Sequence, residues 1–371
     1  MKIAFPIAAA AAVALVLAGC TTSNEPGTSD GGDGELQPFA MVQGAATIAP
    51  NEAIAMYAVA KGLGFYEEEG LDVEILPSDG STAAMQAIAS GSAQVASGDA
   101  ANIIAAYQQG VPVQGIAAFA INYPWKIAVS PSSDIRVAED LAGKKIGIIS
   151  LASGSNAYTR AFLQEAGIDP DTGAELIPVG VGAQALAAIE GGDVDALALF
   201  GQAYALVENL GFEFRYLENP AVFDPLYSAS FAATTSTVAD DPEALEGFLR
   251  ASYKALVFSA VNPRAAMQIG YQVFPELLSD VSDTDTKLEE DTRVLAAWIE
   301  SATLPGAVES WHDFGMIDES RWDALNAFAT GAGTIQGPAP FDEAWTQALL
   351  PAANDFDVAA IVAMAKEYDA G

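Results

Sequence analysis

Two stretches of this chain run through the same order of residue types, and that repetition constrains the fold more than any other feature. Residues 79–95 read DGSTAAMQAIASGSAQV and residues 180–196 read GVGAQALAAIEGGDVDA. Laid side by side without a gap, Ala84, Ala87, Ile88 and Gly91 meet Ala185, Ala188, Ile189 and Gly192. In each stretch a glycine loop opens a helix and a glycine stops it. A short apolar run then leads to another small-residue loop and helix. Two copies of such a unit imply two similar half-molecules facing each other across a cleft.

The surrounding sequence agrees. Short apolar runs alternate with helical segments, the signature of an α/β chain. Strands are predicted at Phe39–Ile48, Asp72–Leu76, Ala93–Ala96, Val113–Ala120, Ile127–Val129, Lys145–Ile149, Leu176–Val179 and Ala196–Phe200. Helices are predicted over 53–64, 82–90 and 100–109, and from near Asn156, Ala183 and Ala203. From Asp241 onward the chain reads as mostly helical. The body that begins at Pro38 is long enough for two domains, or for one chain folded as two lobes.

Ahead of that body lies a different kind of sequence. Lys2 gives a positive start, and Ile3 to Val16 form an apolar run broken only by Pro6. That is a signal-peptide pattern, and the run is too short for a comfortable membrane span. The Leu17-Ala18-Gly19-Cys20 ending resembles a bacterial lipobox. It implies cleavage before Cys20 and lipidation of that cysteine, so residues 1–19 are expected to be a lipoprotein signal peptide. Residues 21–37 are small, polar, acidic or proline apart from Leu36. Such a stretch cannot bury a core, so residues 20–37 are expected to be a lipidated cysteine and a flexible tether. The layout predicts an exported protein held at the outer face of the cytoplasmic membrane.

Composition removes several function classes. Cys20 is the only cysteine, which leaves the body no internal disulfide, no cysteine-based metal site and no thiol chemistry. His312 is the only histidine and sits in WHDFGMI, in the helical C-terminal region. A histidine metal site or a Ser-His-Asp triad would have to use it, which argues against hydrolase and metalloenzyme chemistry. The sequence carries neither GxxxxGK[ST] nor a strand-linked GxGxxG. No cofactor and no metal are expected. With 49 acidic and 15 basic residues the formal charge is -34, which repels nucleic acid and anionic headgroups. Against that background, a lysine or arginine inside a pocket would matter.

Several segments resemble one known family in order and spacing. They are KGLGFYEEEGLDVEIL (61–76), STAAMQAIASGSAQVASGD (81–99), GVPV (110–113), LAGKKIGI (141–148), FLQEAGIDP (162–170) and VGVGAQALAAIEGGDVDAL (179–197). The chain is similar to the substrate-binding proteins of ABC importers, in the group for nitrate, taurine and sulfonates and its relatives for thiamine precursors. The resemblance implies a type II periplasmic-binding-protein fold with two lobes and a ligand cleft between them. Lobe 1 would be residues 38–122 plus 227–371, and lobe 2 residues 123–226. It also implies a monomer that delivers a small-molecule ligand to ABC permease subunits.

Ligands of open α/β sheets sit at the carboxyl ends of strands, where helix N-termini offer unpaired N–H groups. Four loops fit that position: Asn51-Glu52, Gly80-Ser81-Thr82, the loop ending in Asp99, and Ser153-Gly154-Ser155-Asn156. Each of these side chains could equally cap its helix. Tyr123 and Trp125 lie at the expected first hinge, and Gln202 and Tyr204 follow a strand of lobe 2. Lys126 and Arg160 are the cations near these loops; either one pointing inward would favour an anionic ligand.

After Pro50-Asn51 the thiamine-precursor branch carries further polar and histidine residues, whereas Glu52-Ala53-Ile54 follows here. The cysteine-rich motif of the related pyrimidine-synthesising enzymes is absent. The leading expectation is a receptor for a small polar or anionic organic solute, sulfonate- or taurine-like. The alternatives are a pyrimidine, thiamine-precursor or other heteroaromatic solute, a sensory binding protein, and a precursor-synthesis enzyme on the same fold.

Overall fold

The computed structural model describes residues 35–151, 153–279 and 281–368. The expected signal peptide, Cys20 and nearly all of the tether lie outside the described residues. The described residues form ten strands: β1 (Gln37–Gln43), β2 (Leu71–Pro77), β3 (Val95–Asp99), β4 (Val113–Ala118), β5 (Trp125–Val129), β6 (Lys145–Ile148), β7 (Glu175–Pro178), β8 (Ala196–Phe200), β9 (Arg215–Tyr216) and β10 (Ala229–Thr234). They form two five-stranded sheets, ordered β2-β1-β3-β10-β4 and β7-β6-β8-β5-β9. In each sheet the first three strands run parallel, and the fourth pairs antiparallel with both neighbours. The two sheets therefore match position for position.

The sequence repeat lies at the centre of this match. Its helices are Ser81–Ala89 and Ala183–Glu190, and its strands β3 and β8 take the middle place in their sheets. Gly91 and Gly192, aligned in the sequence, both adopt a left-handed backbone with φ of 76° and 74°. Only glycine enters that region at little cost, so each residue turns the chain sharply from helix towards strand.

Some expected boundaries move. β1 stops at Gln43 because that buried side chain turns back on the following loop. Its Nε2 donates to the carbonyls of Ala45 (3.2 Å) and Thr47 (2.9 Å). The helix expected from residue 53 opens as a wide π turn over Ala53–Ala58. Two strands carried no expectation. One is the two-residue β9. The other is β10, a small-residue segment (ASFAAT) that fits between β3 and β4.

Each sheet has its own core. Around the first, Phe39 stacks on Phe248 at 5.1 Å between centroids, and Tyr66 stacks on the same ring at 5.7 Å. Around the second, Ile127, Ile146, Ile148, Tyr158, Phe162 and Phe223 pack together. Burying side chains of this size stabilises by about 1.5–3 kcal/mol each.

Two of the C-terminal helices tie the halves together. Thr284–Ala302 places Leu295 and Trp298 in the first core. Its backbone also lies against the Gly201–Glu208 helix of the second half, so close that a Cβ on Gly201 would sit 3.1 Å from the Ala297 carbonyl. Glu319–Gly331 packs Trp322, Leu325 and Ala329 beside the Ala100–Gln108 helix, while Ala324 and Phe328 rest on the second core. No helix of the described residues is long and apolar enough to cross a membrane.

Candidate functional site

A cavity of about 420 Å³ opens between the two halves, with the Glu319–Gly331 helix along one side. The first half contributes Asp99, Ala101, Asn102 and Tyr227, and Tyr123 and Trp125 come from the crossing into β5. The second half contributes Leu151, Ser153, Gly154, Asn156 and Ala157. Leu325, Phe328, Ala329, Ala332 and Thr334 complete the lining.

Asp99 ends β3 and caps the helix that follows. Its Oδ1 accepts the Ala101 N–H at 2.9 Å, and its own N–H donates to Ser81 Oγ at 3.0 Å. The residue is exposed towards the cavity, yet protein surrounds its carboxylate on the other sides. Lost solvation pushes its pKa up to about 6, further than the N–H groups of Ala101 and Asn102 draw it down. Among the described lining residues Asp99 is the one carboxylate, and there is no lysine or arginine.

Around this acid the walls are aromatic. Trp125 lies against the loop at Gly154, where a Cβ would come within 2.9 Å of the indole Cζ2, so the ring's place depends on glycine. Phe200 meets the indole edge-on, 5.5 Å between centroids at 87°. Tyr123 stacks on Phe223 (5.8 Å, 5°) and meets Phe328 at 74°. Burial first, and then the Asp99 charge, hold its phenol well above the usual range. Tyr227 is fully buried and its hydroxyl has no hydrogen-bond partner. Leaving such a group unpaired costs about 1–3 kcal/mol. Flat rings around one carboxylate suit a planar molecule that carries N–H donors or positive charge.

A family model described as NMT1/THI5 like matches residues 51–266, more than half of the chain. The chain belongs to the NMT1/THI5-like family. It is similar to the riboflavin-binding protein RibY of Chloroflexus aurantiacus, 26% identical over 306 residues that cover 81% of this chain and 84% of that protein. A formylaminopyrimidine-binding protein of Halalkalibacterium halodurans is 22% identical, covering 80% of this chain and 87% of its own. Among solved structures, a putative periplasmic sulfonate-binding protein SsuA of Methylobacillus flagellatus superposes with a TM-score of 0.61 at 16% identity. That match covers 86% of this chain and 94% of the other. The fold is therefore the two-sheet α/β fold of periplasmic binding proteins.

In this NMT1/THI5-like chain six of the residues singled out by sequence meet at one cavity: Asp99, Tyr123, Trp125, Ser153, Gly154 and Asn156. The others lie outside its lining, for physical reasons. Ser81 sits behind Asp99 and fixes its backbone. Gly80, at φ 90°, turns the chain into the helix, and Thr82 is exposed beside it. Ser155 is fully buried, where its Oγ accepts the Ile149 N–H at 2.9 Å and lies 2.7 Å from Ser153 Oγ. Asn51 Oδ1 accepts the Ala53 N–H at 3.0 Å. Glu52 is shut in near Ser97; burial raises its pKa more than its own backbone N–H and the Ser97 hydroxyl lower it.

Tyr204 is buried too, its hydroxyl 2.6 Å from the Leu197 carbonyl and 3.0 Å from that of Lys126 while it accepts the Leu199 N–H. Gln202 follows Gly201, which is pressed against Ala297 away from the cavity lining. Neither cation faces the cavity. Lys126 pairs with Glu300 at 3.5 Å, and Arg160 with Asp171 at 2.7 Å. His312 is exposed beside Asp313.

Sequence reasoning missed Ala101, Asn102, Leu151, Ala157, Tyr227 and the lining residues between Leu325 and Thr334. Asn102 had a readable signal, since it lies three residues after Asp99 in the first turn of the same helix. Leu325, Phe328 and Ala329 follow ordinary helical spacing, and nothing local in the sequence distinguishes them from core.

Proposed function

We propose that this chain is a lipid-anchored extracytoplasmic solute-binding protein that takes a flat, nitrogen-bearing heteroaromatic solute and hands it to an ABC permease. Residues 38–122 and 227–371 form one lobe and 123–226 the other, and the solute lies between them. The observation that carries the reading is the cavity itself: Asp99 set among Tyr123, Trp125 and Tyr227, with no cation in the described lining. A sulfonate or another anion needs positive or N–H-rich surroundings, and the two nearby cations are turned to Glu300 and Asp171. The two named relatives that bind riboflavin and formylaminopyrimidine, both nitrogen heteroaromatics, support the same reading. The place of the single cysteine at the end of Leu17-Ala18-Gly19-Cys20 supports the anchor. Binding without turnover is supported by the two relatives, each named as a binding protein. The protein acts as a monomer.

Calorimetry on the purified chain with riboflavin, formylaminopyrimidine and taurine tests the solute class. Binding of one or both heteroaromatics, weakened in Asp99→Asn and recovered chemically unchanged, is the expected result. Binding of taurine alone, indifferent to Asp99→Asn, would overturn it. Mass spectrometry of the membrane-extracted N-terminus should find a lipidated Cys20, and an unmodified terminus elsewhere would remove the anchor.

A further inference from the structure

We propose that Arg321 is a positioning residue that clamps both crossings between the sheets and so limits how far the two lobes separate. The chain passes from the first sheet to the second between β4 and β5, and returns between β9 and β10. Arg321 stands in the first turn of the Glu319–Gly331 helix, the same helix that carries Leu325, Phe328 and Ala329 to the cavity. Its Nη2 donates to the Ile121 carbonyl on the outgoing crossing. On the return crossing its Nε donates to the Pro225 carbonyl at 3.0 Å, and Nη2 to that of Leu226 at 3.4 Å. One planar group thereby spans both connections. Its carbon also lies 5.7 Å from the centroid of the Tyr227 ring, which lines the cavity.

The guanidinium is a rigid fork with fixed donor directions. When two lobes turn about a pair of crossing strands, those strands twist relative to each other. Carbonyls on both cannot then stay in the plane of one fork. Opening must break part of the array, and the donors that lose carbonyls carry charge, so the array favours the arrangement seen here. A lysine in this place would offer one compact ammonium and could hold one crossing at a time. The inference rests on the lobe division proposed above but on no ligand.

The test measures the distance between spin labels at Asp79→Cys and Val181→Cys, both exposed and just beyond the carboxyl ends of β2 and β7. The chain carries Cys20→Ser, and no ligand is added. With Arg321 present, one narrow distance distribution is expected. Arg321→Met should spread it to longer distances, and Arg321→Lys should give an intermediate width. Distributions as narrow as the parent's in both variants, even with a lowered melting temperature, would overturn the clamp and leave Arg321 a packing residue. If Arg321→Met does not fold, Arg321→Lys decides alone: a widened distribution supports the clamp, and an unchanged one overturns it.

Discussion

β3 and β8 occupy the same place in matching sheets, and each ends in a loop that starts a helix, yet the two strand ends have different fates. Asp99 at the end of β3 opens onto the cavity and caps its helix with a carboxylate. Phe200 at the end of β8 offers no side-chain cap, and the Gly201 that follows is covered by the backbone of Thr284–Ala302. The strand order does not choose between them. What chooses is the C-terminal helical segment, which covers one loop and borders the other. A duplicated scaffold thus supplies two equivalent positions, and the C-terminal segment decides which of them opens onto the cavity.

The sharpest way to break this comparison is to exchange the chemistry of the two loops. Asp99→Asn removes a charged acceptor worth about 1.5–3 kcal/mol, so affinity for a bound heteroaromatic should fall roughly 10- to 150-fold. Gln202→Ala should leave affinity unchanged. Calorimetry on the pair decides, and equal losses would erase the distinction. Next in size is Gly201→Val, whose side chain must displace the Ala297 backbone. Overpacking of that kind costs about 1–3 kcal/mol, readable as a shifted denaturant midpoint, with the cavity residues untouched.

Tyr204→Phe probes the covered side more gently. Losing a hydroxyl that serves strands β5 and β8 should cost about 1 kcal/mol of stability and no affinity. A loss of binding as large as that of Asp99→Asn would place Tyr204 in the site after all. The smallest effect is on pH. Because the Asp99 pKa is raised from its usual 3.8 to about 6 in the fold, the ionised group is disfavoured there. The apo protein should therefore gain a little stability as pH falls from about 6 towards 4, and Asp99→Asn should flatten that slope. Affinity for a donor-bearing solute should move the opposite way, weakening as pH falls through 6. Thermal melts and titrations across this range check both signs.

The scaffold was largely legible because its signals are local. Gly91 and Gly192 announce helix ends, and the alternation of apolar runs with helices sets out most of the parallel strands. The site was legible only in part. Asp99 and Gly154 could be read as loop residues at strand ends and Trp125 as a hinge residue, but the strand-end argument also promoted Ser155 and Tyr204. Their hydroxyls are consumed inside the fold, by the Ile149 N–H and the Leu197 carbonyl. A hydroxyl's partner depends on which strands lie side by side, and residue type does not carry that. Tyr227 and Phe328 escaped for a related reason: each reaches the cavity only through tertiary packing, with no motif to mark it.

The close fit of Gly201 to Ala297 also has a mechanical consequence. A contact between helix backbones, with no side chain interposed, cannot be compressed and has little room to slide. It holds the two halves at a fixed spacing behind the cavity. If the lobes turn on the crossings as proposed, with this contact as a fixed stop beside them, displacement grows with distance from the crossings. On the proposed function, a modest widening at the solute would become a larger excursion at the outer rims, the part of the molecule that a membrane partner would feel.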